Sequence, residues 1–326
     1  MRRLGLLSLA AFLWPLAGGG DGIPQSEYRS RRQALRESLK GGMLILVGNT
    51  ESERGDLRSP FFQEPNFFYL TGWKEPGAIL VVTPDQEALF IPRRDPERER
   101  WTGRKAAPGD PDIRQVTGFD QVLASEEFEA RLPELAKSAS KIYTLAKSPA
   151  AEKLNALLPL REFADAAGEM ARLRMKKSES ELALIRKAAE ITIEAHRAAW
   201  RRLKAGLFEY QLAATASNVY FEAGCERHAY PPIVGSGPNA TVLHYNANSR
   251  RMDAGELVLM DIGAECAGYA ADLTRTVPVG GKFTPRQREL YEIVLGAQKA
   301  VIAAVKPGMT LARTGPNSLH QIAVEY

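Results

Sequence analysis

Cysteine is almost missing from this chain. Among 326 residues only Cys225 and Cys266 occur, which excludes a disulfide framework and a thiolate metal site. An exported chain could join them, but their spatial separation cannot be taken from sequence position, and two reduced, buried thiols are the preferred reading. Excess charge of one sign is also lacking. Lys and Arg number 43 against 39 Asp and Glu, a formal charge of +4. The Arg-rich stretches at 29–36, 93–104 and 197–202 are interleaved with acids or apolar residues and read as solvated faces, so no nucleic-acid partner is expected. Internal repeats, low-complexity tracts, GxGxxG, P-loop and GxSxG motifs are absent too, which removes nucleotide-binding and serine-hydrolase readings.

The apolar run Leu4–Ala17 is too short to span a bilayer, which takes about 20 residues. Arg2 and Arg3 precede it and Gly18, Gly19 and Gly20 follow it, the basic, apolar, small-residue order of a secretory signal peptide. The expectation is a signal over residues 1–20, an exported (periplasmic or secreted) protein, and no stable membrane span.

Beyond the signal the pattern is α/β. An amphipathic helix is expected over Gln25–Lys40 and strands at Met43–Val47, Phe67–Leu70, Ala78–Val82, Ala88–Ile91 and Lys141–Leu145, with a helix near Glu126–Ser138. A first domain over 23–168 and a second over 172–326 follow, with the boundary near Gly168. Ser178 and Glu181 form a capping box ahead of a helix whose core face is read as Leu182, Ile185, Ala189 and Ile193. A further helix ends at Gly224. Strands are expected at Pro232–Val234, at Val242–Tyr245 and in an acidic hairpin, before a last helix capped by Thr284 and Gln287.

That hairpin carries the chemistry. In LVLMDIGAECAGYAADLTRTVPV, Asp261 and Asp272 sit in otherwise apolar strand sequence, and Gly263 and Gly268 permit reversal between them. Two carboxylates brought together repel unless a proton, an arginine or a divalent cation lies between them. A hard cation on oxygen ligands is the option that supports hydrolysis. The plainer alternative is turn chemistry, with Asp272 bonded to Thr274 or Thr276 or paired with Arg275. Of four histidines, His244 has the best context, in a strand-like VLHY after the Gly- and Pro-rich loop. There it could stabilise an oxyanion, ligate metal, or simply satisfy a backbone carbonyl. His196 and His228 read as helix-surface and loop residues.

DIGAECAGYAADLTRTVPVGGKFTPRQRELY, preceded by IVGSGPNATVLHYNANS, resembles the catalytic domain of the Xaa-Pro aminopeptidase (aminopeptidase P) family, within the pita-bread metallopeptidases. FFYLTGWKEPGAILVV and RLRMKKSESELALIRKA resemble the family's N-terminal domain and the entry to its catalytic half. The resemblance implies an N-terminal α/β domain followed by an incomplete pita-bread domain, α/β (α+β) overall. It implies two divalent ions, usually Mn2+, with Asp261 on one ion, Asp272 bridging both, and His244 contacting substrate. The implied reaction releases the N-terminal residue of a peptide with proline at the second position, by metal-activated hydroxide. A homo-oligomer is the common assembly. The family's remaining ligands, one His and two Glu, would follow residue 326, so the chain as it stands is expected to bind metal weakly and not to turn over. Xaa-Pro dipeptidase and a metal-free pita-bread binding protein are the alternatives.

Overall fold

The computed structural model describes residues 22–51, 61–146, 149–158 and 162–326; the expected signal segment lies outside them. The chain forms two compact units that meet in sequence at Leu182 and Ala183.

In the first unit the elements run α1 (Gln25–Ser38), β1 (Met43–Val47), α2 (Pro65–Thr71), β2 (Ile79–Val82), β3 (Glu87–Ile91), α3 (Pro96–Thr102), α4 (Ile113–Thr117), β4 (Val122–Ala124), α5 (Phe128–Leu135), β5 (Ile142–Thr144), α6 (Pro149–Leu157), β6 (Phe163–Asp165) and α7 (Ala167–Met175). The strands form one sheet in the order β4-β3-β2-β1-β5-β6. The pairs around β2 are antiparallel, and β3–β4, β1–β5 and β5–β6 are parallel. Apolar residues occupy both faces, because each face is covered by helices. Leu44, Leu46, Leu80 and Val82 pack with Leu35, Phe67, Leu70 and Met170 on one side. Met43, Ile45, Ile79 and Val81 pack with Phe128, Leu132 and Leu154 on the other.

The segment expected as a strand at Phe67–Leu70 is instead helix α2. Its aromatic content favours a strand, but the end signals prevail. The Glu64 carboxylate accepts from Phe67 N at 2.6 Å, Pro65 opens the first turn, and Gly72 closes the helix in the left-handed region at φ 66°.

Arg32 is fully buried beneath that cap. It donates to Leu70 O at 2.9 Å and to Glu87 Oε1 at 2.8 Å, and its guanidinium lies 3.8 Å from the centre of the Phe119 ring. One side chain thus ties α1 to the end of α2 and to β3.

The second unit holds most of α8 (Glu179–Arg202), then α9 (Glu209–Glu222), β7 (Arg227–His228), β8 (Ile233–Ser236), β9 (Leu257–Ile262), β10 (Ala264–Cys266), β11 (Tyr269–Ala270), β12 (Leu273–Pro278), α10 (Pro285–Ala304) and α11 (Leu319–Glu325). Two three-stranded sheets form, β12-β9-β8 and β11-β10-β7. Both expected capping boxes are present: Glu181 N donates to Ser178 Oγ and Ser178 N to Glu181 Oε2, and Thr284 and Gln287 repeat the exchange. Among the described residues no helix is long and apolar enough to cross a membrane.

Three expectations need correction here. The buried stripe of α8 runs through Leu184, Ala188, Thr192, Ala195, His196 and Ala199, while Ile193 is exposed. The face was misplaced because, after Leu184, small and polar residues form the buried stripe. His196 is therefore a core residue, 2% exposed, and its Nε2 lies 3.0 Å from Leu273 O. A carbonyl only accepts, so Nε2 carries the proton. His228 is half-buried between the Tyr220 and Phe221 rings, with Nε2 3.2 Å from Ser217 Oγ. Finally, Cys225 and Cys266 form a disulfide, with Cα atoms 4.3 Å apart. The pairing of Arg227 with Glu265 across β7 and β10 brings them together, a contact across 41 residues that composition does not reveal.

Arg32→Ala takes the 2.8 Å partner from Glu87 Oε1 and leaves only Arg36, 3.2 Å from Oε2, so the expected loss is about 1.5–3 kcal/mol in urea unfolding of the first unit. Burial lowers the pKa of both His196 and His228. As pH falls, the unfolded chain takes up these protons first. The stability contributed by the neutral rings is complete above about pH 6.5 and is lost as pH falls towards the folded-state values. The urea midpoint of the second unit is expected to drop between pH 7.5 and 5.5, and to drop less in His228→Gln; an equal drop in the variant would contradict this cause.

Candidate functional site

Asp261 lies near the end of β9, opposite Thr274 of β12, and Asp272 immediately precedes β12, where Leu273 pairs with Ile262. The two acids are therefore neighbours across a strand pair. The residues between them do not make a simple turn. After Ile262 the chain leaves one sheet and enters the other as β10 and β11, then returns at Leu273. Gly263 is the switching point. A side chain there would overlap the Ala271 carbonyl and press on the Tyr230 ring, so glycine is required for close approach. Ala229 N donates to Gly263 O at 2.9 Å and Ala271 N to Ala264 O at 2.9 Å, holding both legs of the excursion.

Helix α8 fixes the same excursion from below. Thr192 Oγ1 accepts from Ala264 N at 3.0 Å, and one turn later His196 holds Leu273 O. Residues spaced i and i+4 face the same side of a helix, so one helical face grips the chain shortly after Asp261 and again directly after Asp272.

Tyr230 completes the group. Its hydroxyl donates to Asp261 Oδ1 at 2.5 Å, and Asp272 Oδ1 stands 3.1 Å from the same oxygen. Burial, then the two neighbouring carboxylates, push the phenol pKa far above its ordinary value, so Tyr230 remains a neutral donor. Sequence reasoning missed this residue. Its only local signal is an aromatic ahead of Pro231 and Pro232, and its reach depends on β7 pairing with β10.

Asp261 and Asp272 are thus brought together, with Asp261 half-buried and Asp272 exposed. Both offer oxygen donors, the ligand type suited to a hard divalent cation. Among the described residues no cluster of three or more His, Cys, Asp or Glu could hold a metal ion, so the pair supplies part of a coordination shell and not a closed one. His244 does not lie on a strand. The expected strand at Val242–Tyr245 is a turn following a short 3-10 segment, Gly237–Thr241, with Leu243 and His244 exposed. After β8 the chain folds back so closely that a Cβ at Gly235 would lie 2.7 Å from Asn239 O, which glycine permits. No hydrogen bond or ion pair joins His244 to either aspartate among the described residues.

Residues 183–325 match the profile of metallopeptidase family M24, and residues 28–143 match the aminopeptidase P N-terminal domain. The chain is 35% identical over 315 residues to the Xaa-Pro aminopeptidase of Escherichia coli, covering 89% of this chain and 70% of that protein. To human Xaa-Pro aminopeptidase 3 it is 33% identical, covering 89% of this chain and 62% of that protein. Among solved structures, Pseudomonas aeruginosa aminopeptidase superimposes with a TM-score of 0.85 at 32% identity, covering 93% of this chain and 71% of that one. A zinc-substituted Escherichia coli aminopeptidase P in complex with product gives 0.83 at 34% identity, covering 89% and 70%. With both domain profiles matched in order, and a relative more than 30% identical over most of its own length, the chain belongs to the aminopeptidase P group of the M24 metallopeptidases.

Proposed function

We propose that this protein is a metalloaminopeptidase that releases the N-terminal residue of peptides with proline in second position. The observation that carries the reading is the convergence of Asp261 and Asp272 on one tyrosine hydroxyl, inside the segment that matches family M24. The names of the relatives, Xaa-Pro aminopeptidases from bacteria to mammals, support the proline requirement.

Asp261 and Asp272 are the residues that would hold the metal, and an oxygen-only pair suits manganese. Held there, divalent ions would supply Lewis-acid polarisation of the scissile carbonyl and a nucleophile at neutral pH. The chain's own residues do the rest. Tyr230, a donor that stays protonated, orients both carboxylates towards one side. His244 is read as the residue that contacts substrate and donates to the oxygen on which negative charge develops, and its exposed turn supports that reading by leaving the ring accessible.

Export is a second part of the proposal. The basic and apolar N-terminal segment supports it, and so does a disulfide, a bond that persists in oxidising compartments.

Chelator-sensitive release of the first residue from an Xaa-Pro tripeptide with Mn2+ is expected of the full-length protein. Asp272→Asn should lower both bound metal and kcat/KM by at least about 100-fold, since even outer partners of metal ligands change affinity by roughly 10–100-fold. Full metal content with wild-type turnover in that variant would sink the assignment. Alkylation of the purified exported protein without reductant, read by mass spectrometry, should modify neither Cys225 nor Cys266; labelling of both would remove that support for export.

A further inference from the structure

Glu209 is fully buried, yet no ion pair engages it among the described residues. It opens α9, and its carboxylate is satisfied by donors alone. Oε1 accepts from Ser236 N and Ser236 Oγ, each at 2.7 Å, with Asn239 Nδ2 at 3.5 Å; Oε2 accepts from Tyr245 Oη at 2.7 Å and Arg250 N at 2.9 Å. A buried carboxylate is costly unless its acceptor sites are filled. Here every donor comes from one stretch of chain: its start at Ser236, its end at Arg250, and Tyr245, the residue after His244.

That stretch, residues 237–249, has a short 3-10 segment and no strand. Its tip is exposed, with Leu243 87% accessible, and cannot be ordered by core packing. Backbone bonds from Glu209 N to Arg250 O and from Tyr210 N to Asn248 O hold only its far end. Asn248 secures the base through Val234 N and Pro232 O. The Tyr245 hydroxyl on Glu209, reinforced by Ser249 N at 3.2 Å from the same oxygen, is the bond nearest to His244.

We propose that Glu209 is a positioning residue for the reaction: through Tyr245 it holds the 237–249 loop so that His244 is presented to substrate in a single place. The proposal rests on the reading of His244 as the substrate-contacting residue. An acceptor-only group is required, because a glutamine would turn its NH2 towards the backbone N–H of either Ser236 or Arg250, neither of which can accept.

The test combines turnover with a readout independent of metal. Tyr245→Phe removes one hydroxyl from a half-buried ring and leaves the rest of the network in place; Glu209→Gln perturbs the whole of it. Both are made alone and together with His244→Ala in the full-length protein, with Mn2+ and an Xaa-Pro tripeptide. Tyr245→Phe is expected to lower kcat about 10-fold and Glu209→Gln about 100-fold with KM within about twofold, the scale of a roughly 1 Å misplacement. In the His244→Ala background each is expected to cost less than about twofold more, because residues acting through one another are not additive. In this chain without metal, the backbone order parameter at His244 should fall from about 0.85 to below about 0.6 in both variants. Equal losses with and without His244, or an unchanged order parameter and kcat, would overturn the positioning role while leaving the aminopeptidase reading intact. Wild-type turnover in His244→Ala would overturn the reading of His244, and the proposal with it.

Discussion

Two like charges held side by side are the constraint around which the second unit is organised. Asp261 and Asp272 repel each other in the absence of a cation, and the carboxylates stay together because the backbone leaves them little choice. The β9–β12 ladder sets their spacing. Gly263 lets the chain leave the sheet between them, and Thr192 and His196 on one helix face catch it near both ends. Tyr230 adds a neutral donor whose hydroxyl bonds Asp261 and lies within reach of Asp272. A geometry imposed by the fold, at a cost in repulsion, is what a cation-binding site requires.

The segment that carries Tyr230 is itself fastened to the excursion. Cys225 bonds Cys266, and Arg227 pairs with Glu265, so the strand leading to Tyr230 and the strand between the aspartates move as one piece. Closing a chain separation of 41 residues restricts the unfolded ensemble and stabilises by about 3–4 kcal/mol in a loop-entropy account. Glu209 plays a comparable part on the other side of the unit, where a loop too exposed to pack is held by hydrogen bonds to a buried anion. The first unit uses the same device with opposite charge: Arg32, fully buried, joins α1, α2 and β3.

Much of the architecture was legible locally. Capping boxes at Ser178 and Thr284, the apolar runs at Met43–Val47 and Ala78–Val82, and the turn glycines depend on neighbours within a few residues, and the structure bears them out. The mixed α/β class and the family resemblance hold as well. Local reasoning failed where an overlooked capping signal or a long-range partner outweighs propensity. Phe67–Leu70 looked like a strand, but Glu64 and Gly72 cap it as a helix. Val242–Tyr245 looked like a strand, but the Tyr245 hydroxyl is drawn to Glu209, 36 residues away.

By itself the sequence determined which chemistry is available: two acids in apolar strand context, no reactive cysteine or serine motif, and element boundaries written in caps and glycines. Only the tertiary structure decided which side chains answer those acids. Tyr230, His196 and the Cys225–Cys266 bond act across 31 to 77 residues. The physical reason is range. Periodicity and capping report contacts within one or two turns of chain, whereas a hydrogen bond between distant segments exists only after sheets pair and helices pack to bring donor and acceptor within about 3 Å.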